Sequence, residues 1–186
     1  MNLEAGDKRI LGRLAWESLR RAIAGGEYRP DDPGRPVLLE KCGCFVTLKT
    51  GGALRGCLGC FTSDRPLYRT VPEYAALSAT EDPRFAHNRL KPSDLPRVDM
   101  EISVLTPLEP CPEPEQIVPG VHGIYVSSGA RSGCFLPQVA TEMNWGVEDF
   151  WGHCCREKAG LDWDAWRRPG VRLMTFTADV FEAPRE

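Results

Sequence analysis

Apolar residues return at helical spacing near the start of the chain, at Ile10, Leu11, Leu14, Leu19 and Ile23, with Arg13, Glu17, Arg20 and Arg21 mostly between them. This pattern predicts an amphipathic helix over 8–24. Gly25 and Gly26 stop it, and the proline-rich stretch 29–36 reads as a surface linker without regular structure. Further on, Leu67, Val71, Tyr74, Ala75 and Leu77 predict a helix with Pro66 in its first turn, running to about Thr80 and ended by Asp82-Pro83. The alternation DMEISVL over 99–105 predicts a half-buried strand with Met100, Ile102 and Val104 on one face. The proline-rich run 106–119 reads as a loop. Strands at 123–127 and 132–136 form a second hairpin around Ser128-Gly129, a helix follows from Thr141 or Glu142 to Ala159 and stops at Gly160, and 171–181 closes the chain as a strand.

The first hairpin is the most informative of these elements. LLEKCGCFVTLK and LRGCLGCF flank Thr50-Gly51-Gly52-Ala53, the arrangement of two antiparallel strands about a tight turn. If the loop is 51–53 and Thr50 faces Leu54, then Val46, Leu48, Leu54 and Leu58 share the core face. Cys42, Cys44 and Cys60 join them, while Cys57 lies on the opposite face with Phe45, Thr47 and Arg55. A two-residue loop groups Cys42, Cys44 and Cys57 instead and isolates Cys60. Neither register gathers all four thiols without a bulge, so no metal site is expected from them. Hairpins outnumber strand-helix-strand crossovers, which predicts an α+β fold with a mainly antiparallel sheet and flanking helices.

The chain's 186 residues suffice for one sizeable core, or for one domain of two lobes. The 23 basic and 26 acidic residues nearly cancel, which argues against a broad phosphate-binding surface, so nucleic acid is not an expected partner. No apolar run approaches the roughly 20 residues of a membrane span, and the first thirteen residues are charged where a signal peptide is apolar. The expected location is the cytoplasm, with the eight cysteines reduced.

Residues that carry chemistry gather around the glycine-rich strand. Cys57 is the candidate nucleophile, because the thiolate is the reactive form and a guanidinium such as that of Arg55 favours it. Gly56 and Gly59 let a ligand approach the backbone closely, and equally permit tight sheet packing. His122 is the candidate base, since imidazole exchanges protons near neutral pH. In the segment DPRF, Asp82 caps a turn, Pro83 ends the helix and Phe85 is expected in the core, which leaves Arg84 over. Together with Arg55 it would fork around a carboxylate or phosphate; the alternative is an internal salt bridge to Asp82 or Glu73. Gln138 supplies an amide contact or caps the last helix. There is no glycine loop with Lys-Ser/Thr, no GxGxxG after a strand, no HExxH and no CxxxCxxC, so no cofactor is expected.

LRGCLG at 54–59 and DPRF at 82–85, read with FVTL at 45–48, LPRV at 95–98, SVLT at 103–106, VHGI at 121–124 and LPQVA at 136–140, stand in an order that resembles the AMMECR domain family. The resemblance spans roughly residues 10–182. It implies a single domain, 1–186, with a larger and a smaller lobe packed as one unit: the helix 8–24, the linker 29–36, the signature hairpin and helix 37–85, and a second half 95–182. Glu73, followed by Tyr74, matches the family too and is expected to orient His122 or pair with Arg55; Trp145 matches and is expected in the core. Prokaryotic members look like a component of the AmmeMemoRadiSam system, which implies a Memo-like protein and a radical-SAM protein as partners, the radical chemistry belonging to the latter. Three functions follow as expectations. The first is an enzyme or catalytic subunit binding an anionic small molecule or nucleotide-like substrate in a cleft of Arg55, Cys57, Glu73, Arg84 and His122. The second is a non-catalytic adaptor for those partners, and the third is a role related to RNA modification.

Overall fold

The computed structural model describes residues 3–185. They divide into two compact units, one formed by the chain up to Leu105 together with Asp179 onward, the other by residues 106–178. The fold is α+β, and the strand pairs within each unit are antiparallel.

In the first unit, helix α1 (Ala5–Ile23) begins three residues before the predicted start at residue 8, where Glu4 and Asp7 form a reciprocal capping box. Asp7 is buried there and binds the Arg35 guanidinium at 2.8 Å. Strands β1 (Cys44–Thr50), β2 (Ala53–Cys60) and β3 (Val98–Leu105) lie in the order β2-β1-β3, which leaves β2 at the edge. Cys44, Val46 and Leu48 stand opposite Val104, Ile102 and Met100, and all six are buried. Helix α2 (Leu67–Thr80) covers β1 and β2, and α1 packs on α2. Leu11, Leu19, Leu38, Leu48, Leu67 and Ile102 are fully buried in this core, each contributing about 1.5–3 kcal/mol. The indole N–H of Trp16 donates to the carbonyl of Ala183 at 2.9 Å, tying the C-terminal residues to α1.

The hairpin departs from the expected loop in an instructive way. Gly51 and Gly52 have φ of 57° and 80° and make a two-residue turn, with Thr50 facing Ala53 and Lys49 facing Leu54. Leu48 then faces Gly56, so Arg55 is an extra residue bulged out of the ladder. The bulge restores the register that a three-residue loop would have given, placing Thr47 opposite Cys57 and Cys44 opposite Cys60. Leu54 lies on the turn side of the bulge, is 37% exposed, and is not part of the core face.

In the second unit, β4 (Glu109–Pro110), β5 (His122–Ser128), β6 (Arg131–Phe135) and the first part of β7 (Arg172–Ala183) run in the order β4-β7-β5-β6. The stretch 106–119 is therefore not wholly loop: Glu109 pairs with Thr175, and Pro114–Gln116 makes a 3-10 turn. A short helix α3 (Pro137–Glu142) forms mostly ahead of the helix expected from Thr141 or Glu142 to Ala159, which itself starts only at Val147 as α4 (Val147–His153) and continues as a π turn over Cys154–Lys158. Asn144 with φ of 53° reverses the chain between them, and Gly146 caps α4. Ile124, Val126, Phe150, Trp151, Cys154 and Cys155 form this unit's core. Trp145 is only partly buried against it and stacks on His153 at 3.9 Å. Among the described residues no helix is long and apolar enough to cross a membrane.

Candidate functional site

The glycine-rich strand and the turn after α2 are bound together by one network in the first unit. Asp82, 1% exposed, caps the short helical turn Pro83–Phe85 by accepting from the Arg84 backbone N–H at 3.1 Å. Its other oxygen accepts the backbone N–H of Cys57 at 2.9 Å. The Arg84 guanidinium grips the same carboxylate through Nε at 3.0 Å and Nη2 at 2.7 Å. From Nη2 it also donates to the Cys57 carbonyl at 3.0 Å. Both outward main-chain groups of Cys57, on the edge strand, are thus occupied by DPRF side chains, which blunts that edge at this point. The Arg84 guanidinium holds Asp82 down to about 2, assisted by the two N–H donors and opposed by burial.

A second tie runs through Ser78 of α2. Its hydroxyl accepts the N–H of Leu58 at 2.9 Å and donates to the Val46 carbonyl at 2.8 Å, bridging the main chains of β1 and β2. This contact requires α2 to come very close to the strand, and Gly56 permits it: a Cβ there would lie 1.9 Å from the Ser78 carbonyl oxygen. At Gly59 a Cβ would meet the Cys44 carbonyl at 2.2 Å and the Phe45 ring at 2.4 Å. The space beside both glycines is filled by the chain's own atoms, so on that side they serve packing and do not open the backbone to a ligand.

The Cys57 thiol itself is half-buried and receives the Thr47 hydroxyl at 3.2 Å. The Arg84 guanidinium also interacts with this sulfur, and Asp82 first and Cys57 second raise its own pKa. Arg84 remains 55% exposed.

The other expected residues fall in both units. The Arg55 guanidinium donates to the Asn88 carbonyl at 3.2 Å and lies 3.8 Å from Asp94, with its Nε buried and unpartnered among the described residues. Glu73 pairs with Arg65 rather than with Arg55 or His122, and lines an open cleft of about 710 Å³ with Tyr28, Arg29, Arg65 and Arg69. His122 stands at the start of β5 in the second unit, where its Nδ1 accepts the Val118 N–H at 2.9 Å. Gln138, at the start of α3 in the same unit, has its side-chain oxygen buried without a described partner. Phe85 is half-buried rather than in the core. Among the described residues no group of three or more His, Cys, Asp or Glu side chains is arranged to hold a metal. Ser78 and Thr47 complete the network; Thr47 already shared the Cys57 face in the predicted register, whereas nothing in the sequence singled out Ser78.

The comparisons agree over nearly the whole chain. The AMMECR1 family model matches residues 12–181. Protein MK0488 of Methanopyrus kandleri is 41% identical, over 98% of this chain and 90% of its own length. Protein PH0010 of Pyrococcus horikoshii is 38% identical, over 93% of this chain and 88% of its own. The crystal structure of that protein, described in its title as uncharacterized, superposes with a TM-score of 0.85 at 37% identity, covering 94% of this chain and 90% of the other.

Proposed function

Since this chain belongs to the AMMECR1 family, and its LRGCLG stretch carries a half-buried thiol inside a closed main-chain network, we propose that it is a cytoplasmic enzyme or catalytic subunit acting through Cys57 on an anionic small molecule, nucleotide-like substrates included. One observation supports this reading above others. The thiol is held on a backbone fixed at both its N–H and its carbonyl, beside a guanidinium that stays 55% exposed. A fixed backbone presets the approach of the nucleophile. Cys57 attacks, Arg84 supplies outward N–H donors to the anion, and Asp82 is a positioning residue that holds Arg84 and the Cys57 amide together. Arg55, engaged by the Asn88–Asp94 loop, shapes the rim.

The test is alkylation of Cys57 in the folded protein by iodoacetamide, read by peptide mass, with inorganic phosphate as competitor. Phosphate should slow labelling of Cys57 in the wild type and have no such effect in Arg84→Gln. Labelling that phosphate leaves unchanged in the wild type removes the anion from the reading; a Cys57 that does not label at all removes the nucleophile.

A second reading rests on a separate observation in the second unit. Val118, Val121 and Met143 are 49%, 53% and 55% exposed, and Gly120 brings their two segments together, since a Cβ there would lie 2.7 Å from the Thr141 methyl. In this reading the patch docks onto another protein, the Memo-like and radical-SAM proteins implied by the resemblance being the partners to try, and the chain is an adaptor. Val121→Asp should abolish co-purification with such a partner while Cys57→Ser leaves it intact; the reverse pattern refutes the adaptor.

A further inference from the structure

Cys44 and Cys60 lie on the face of the hairpin opposite Cys57, with Cys42 just ahead of β1. Cys44 and Cys60 are directly opposed residues of β1 and β2. Facing residues of an antiparallel pair have Cα atoms about 4.5–5.5 Å apart, inside the range of about 4.4–6.8 Å that a disulfide spans. The two thiols act on each other, Cys44 lowering the pKa of Cys60 and Cys60 raising that of Cys44. Cys44 is fully buried, whereas Cys60, the last residue of β2, is partly open to solvent. The Cys44 backbone N–H and Tyr74 on α2 also favour the Cys60 thiolate. Cys42 and Glu73 also lie near it, and Glu73 is paired with Arg65.

We propose that Cys60 and Cys44 form a dithiol site that reacts with low-molecular-weight disulfides, Cys60 as the attacking thiolate and Cys44 as the resolving thiol. The Cys60 thiolate attacks one sulfur of the disulfide, the S–S bond breaks, and one thiolate leaves. Cys44 then loses its proton and its sulfur attacks Cys60 Sγ, expelling the second thiolate. The protein dithiol is oxidised to a cross-strand disulfide, the small disulfide is reduced, and the proton from Cys44 goes with one from solvent to the two released thiols. The division of labour follows from the surroundings. The groups around Cys60, Cys44 foremost, bring it down to about 6 against burial, while Cys60 and then burial keep Cys44 well above the ordinary thiol range. Cys42, buried and pushed up to about 12, is inert by comparison. This site shares no group with the Cys57 network, so Cys57→Ser should leave it unchanged.

The experiment treats the full chain with oxidised glutathione, quenches in acid, alkylates the remaining thiols and maps the peptides. The expected product is an internal Cys44–Cys60 disulfide in the wild type, and a glutathione adduct retained on Cys60 in Cys44→Ala. A wild-type adduct on Cys60 that never resolves overturns the role of Cys44, and first reaction at Cys57 or Cys111 overturns the site. A measurement on the unmutated protein guards against a variant that does not fold: alkylation of Cys60 should fall only about twofold between pH 8 and pH 6, where an ordinary thiol loses roughly 80-fold. A fall of the latter size at Cys60 contradicts the proposal.

Discussion

Replacing Asp82 by Asn keeps the shape of the side chain and removes the charge on which the network closes. The carboxylate accepts four hydrogen bonds, from the Cys57 and Arg84 amides and from Nε and Nη2 of Arg84. An amide puts an NH2 against one set of these donors. The folded-state pKa of Asp82 is lowered from 3.8 to about 2, a difference worth about 2.5 kcal/mol at neutral pH if the whole shift is native-state stabilisation. Arg84 is more than half exposed and solvent screens part of the interaction, so a loss of about 2 kcal/mol is expected. Because the folded pKa is depressed, this stabilisation is complete above the unfolded value near 4 and disappears as pH falls through about 2; roughly half should remain at pH 3. Urea unfolding of wild type and Asp82→Asn at pH 7 and pH 3 measures both quantities. A difference below about 0.5 kcal/mol at pH 7, or one that does not shrink at pH 3, would refute the assignment of Asp82 as the charged centre of the network.

Gly56→Ala forces a methyl against the Ser78 carbonyl and should destabilise by about 3 kcal/mol; thermal unfolding close to wild type would show that α2 can move away at little cost. Ser78→Ala leaves the Leu58 N–H and the Val46 carbonyl without their bridge, at an expected cost of about 1–3 kcal/mol by urea titration, and a neutral result would mean that the two strands close directly. Leu54→Thr should change stability by less than about 0.5 kcal/mol, since the bulge leaves Leu54 outside the core; a large loss would argue for the unbulged register.

The sequence made the elements of the first unit legible because their signals are local: apolar spacing in α1 and α2, alternation in β3, and paired glycines between β1 and β2. The faces of Cys44, Cys57 and Cys60 followed from period-two alternation and one assumed loop length. The bulge at Arg55 was hidden because a two-residue turn plus one extra residue gives the same register downstream as a three-residue loop. The break between α3 and α4 was hidden because Asn144 takes a left-handed conformation that the surrounding apolar pattern does not announce. Of the site, Cys57, Asp82 and Arg84 could be singled out by residue type, but their bonding could not. That Asp82 reaches 25 residues back to Cys57 depends on how α2 returns along β2, a tertiary fact that leaves no spacing in the chain. Arg84 takes the internal bridge to Asp82 that the sequence left open as the alternative to a fork with Arg55, and Arg55 is held by Asn88 and Asp94.

Mapping which cysteines react with iodoacetamide in the native protein, before and after unfolding in urea, tests the account of Cys57 most directly. The account predicts that Cys57 labels in the folded chain, while the buried Cys42, Cys44 and Cys154 wait for urea. A Cys57 that stays unlabelled until the protein unfolds would contradict it, and would leave the network of Asp82, Arg84 and Cys57 as a device of stability alone.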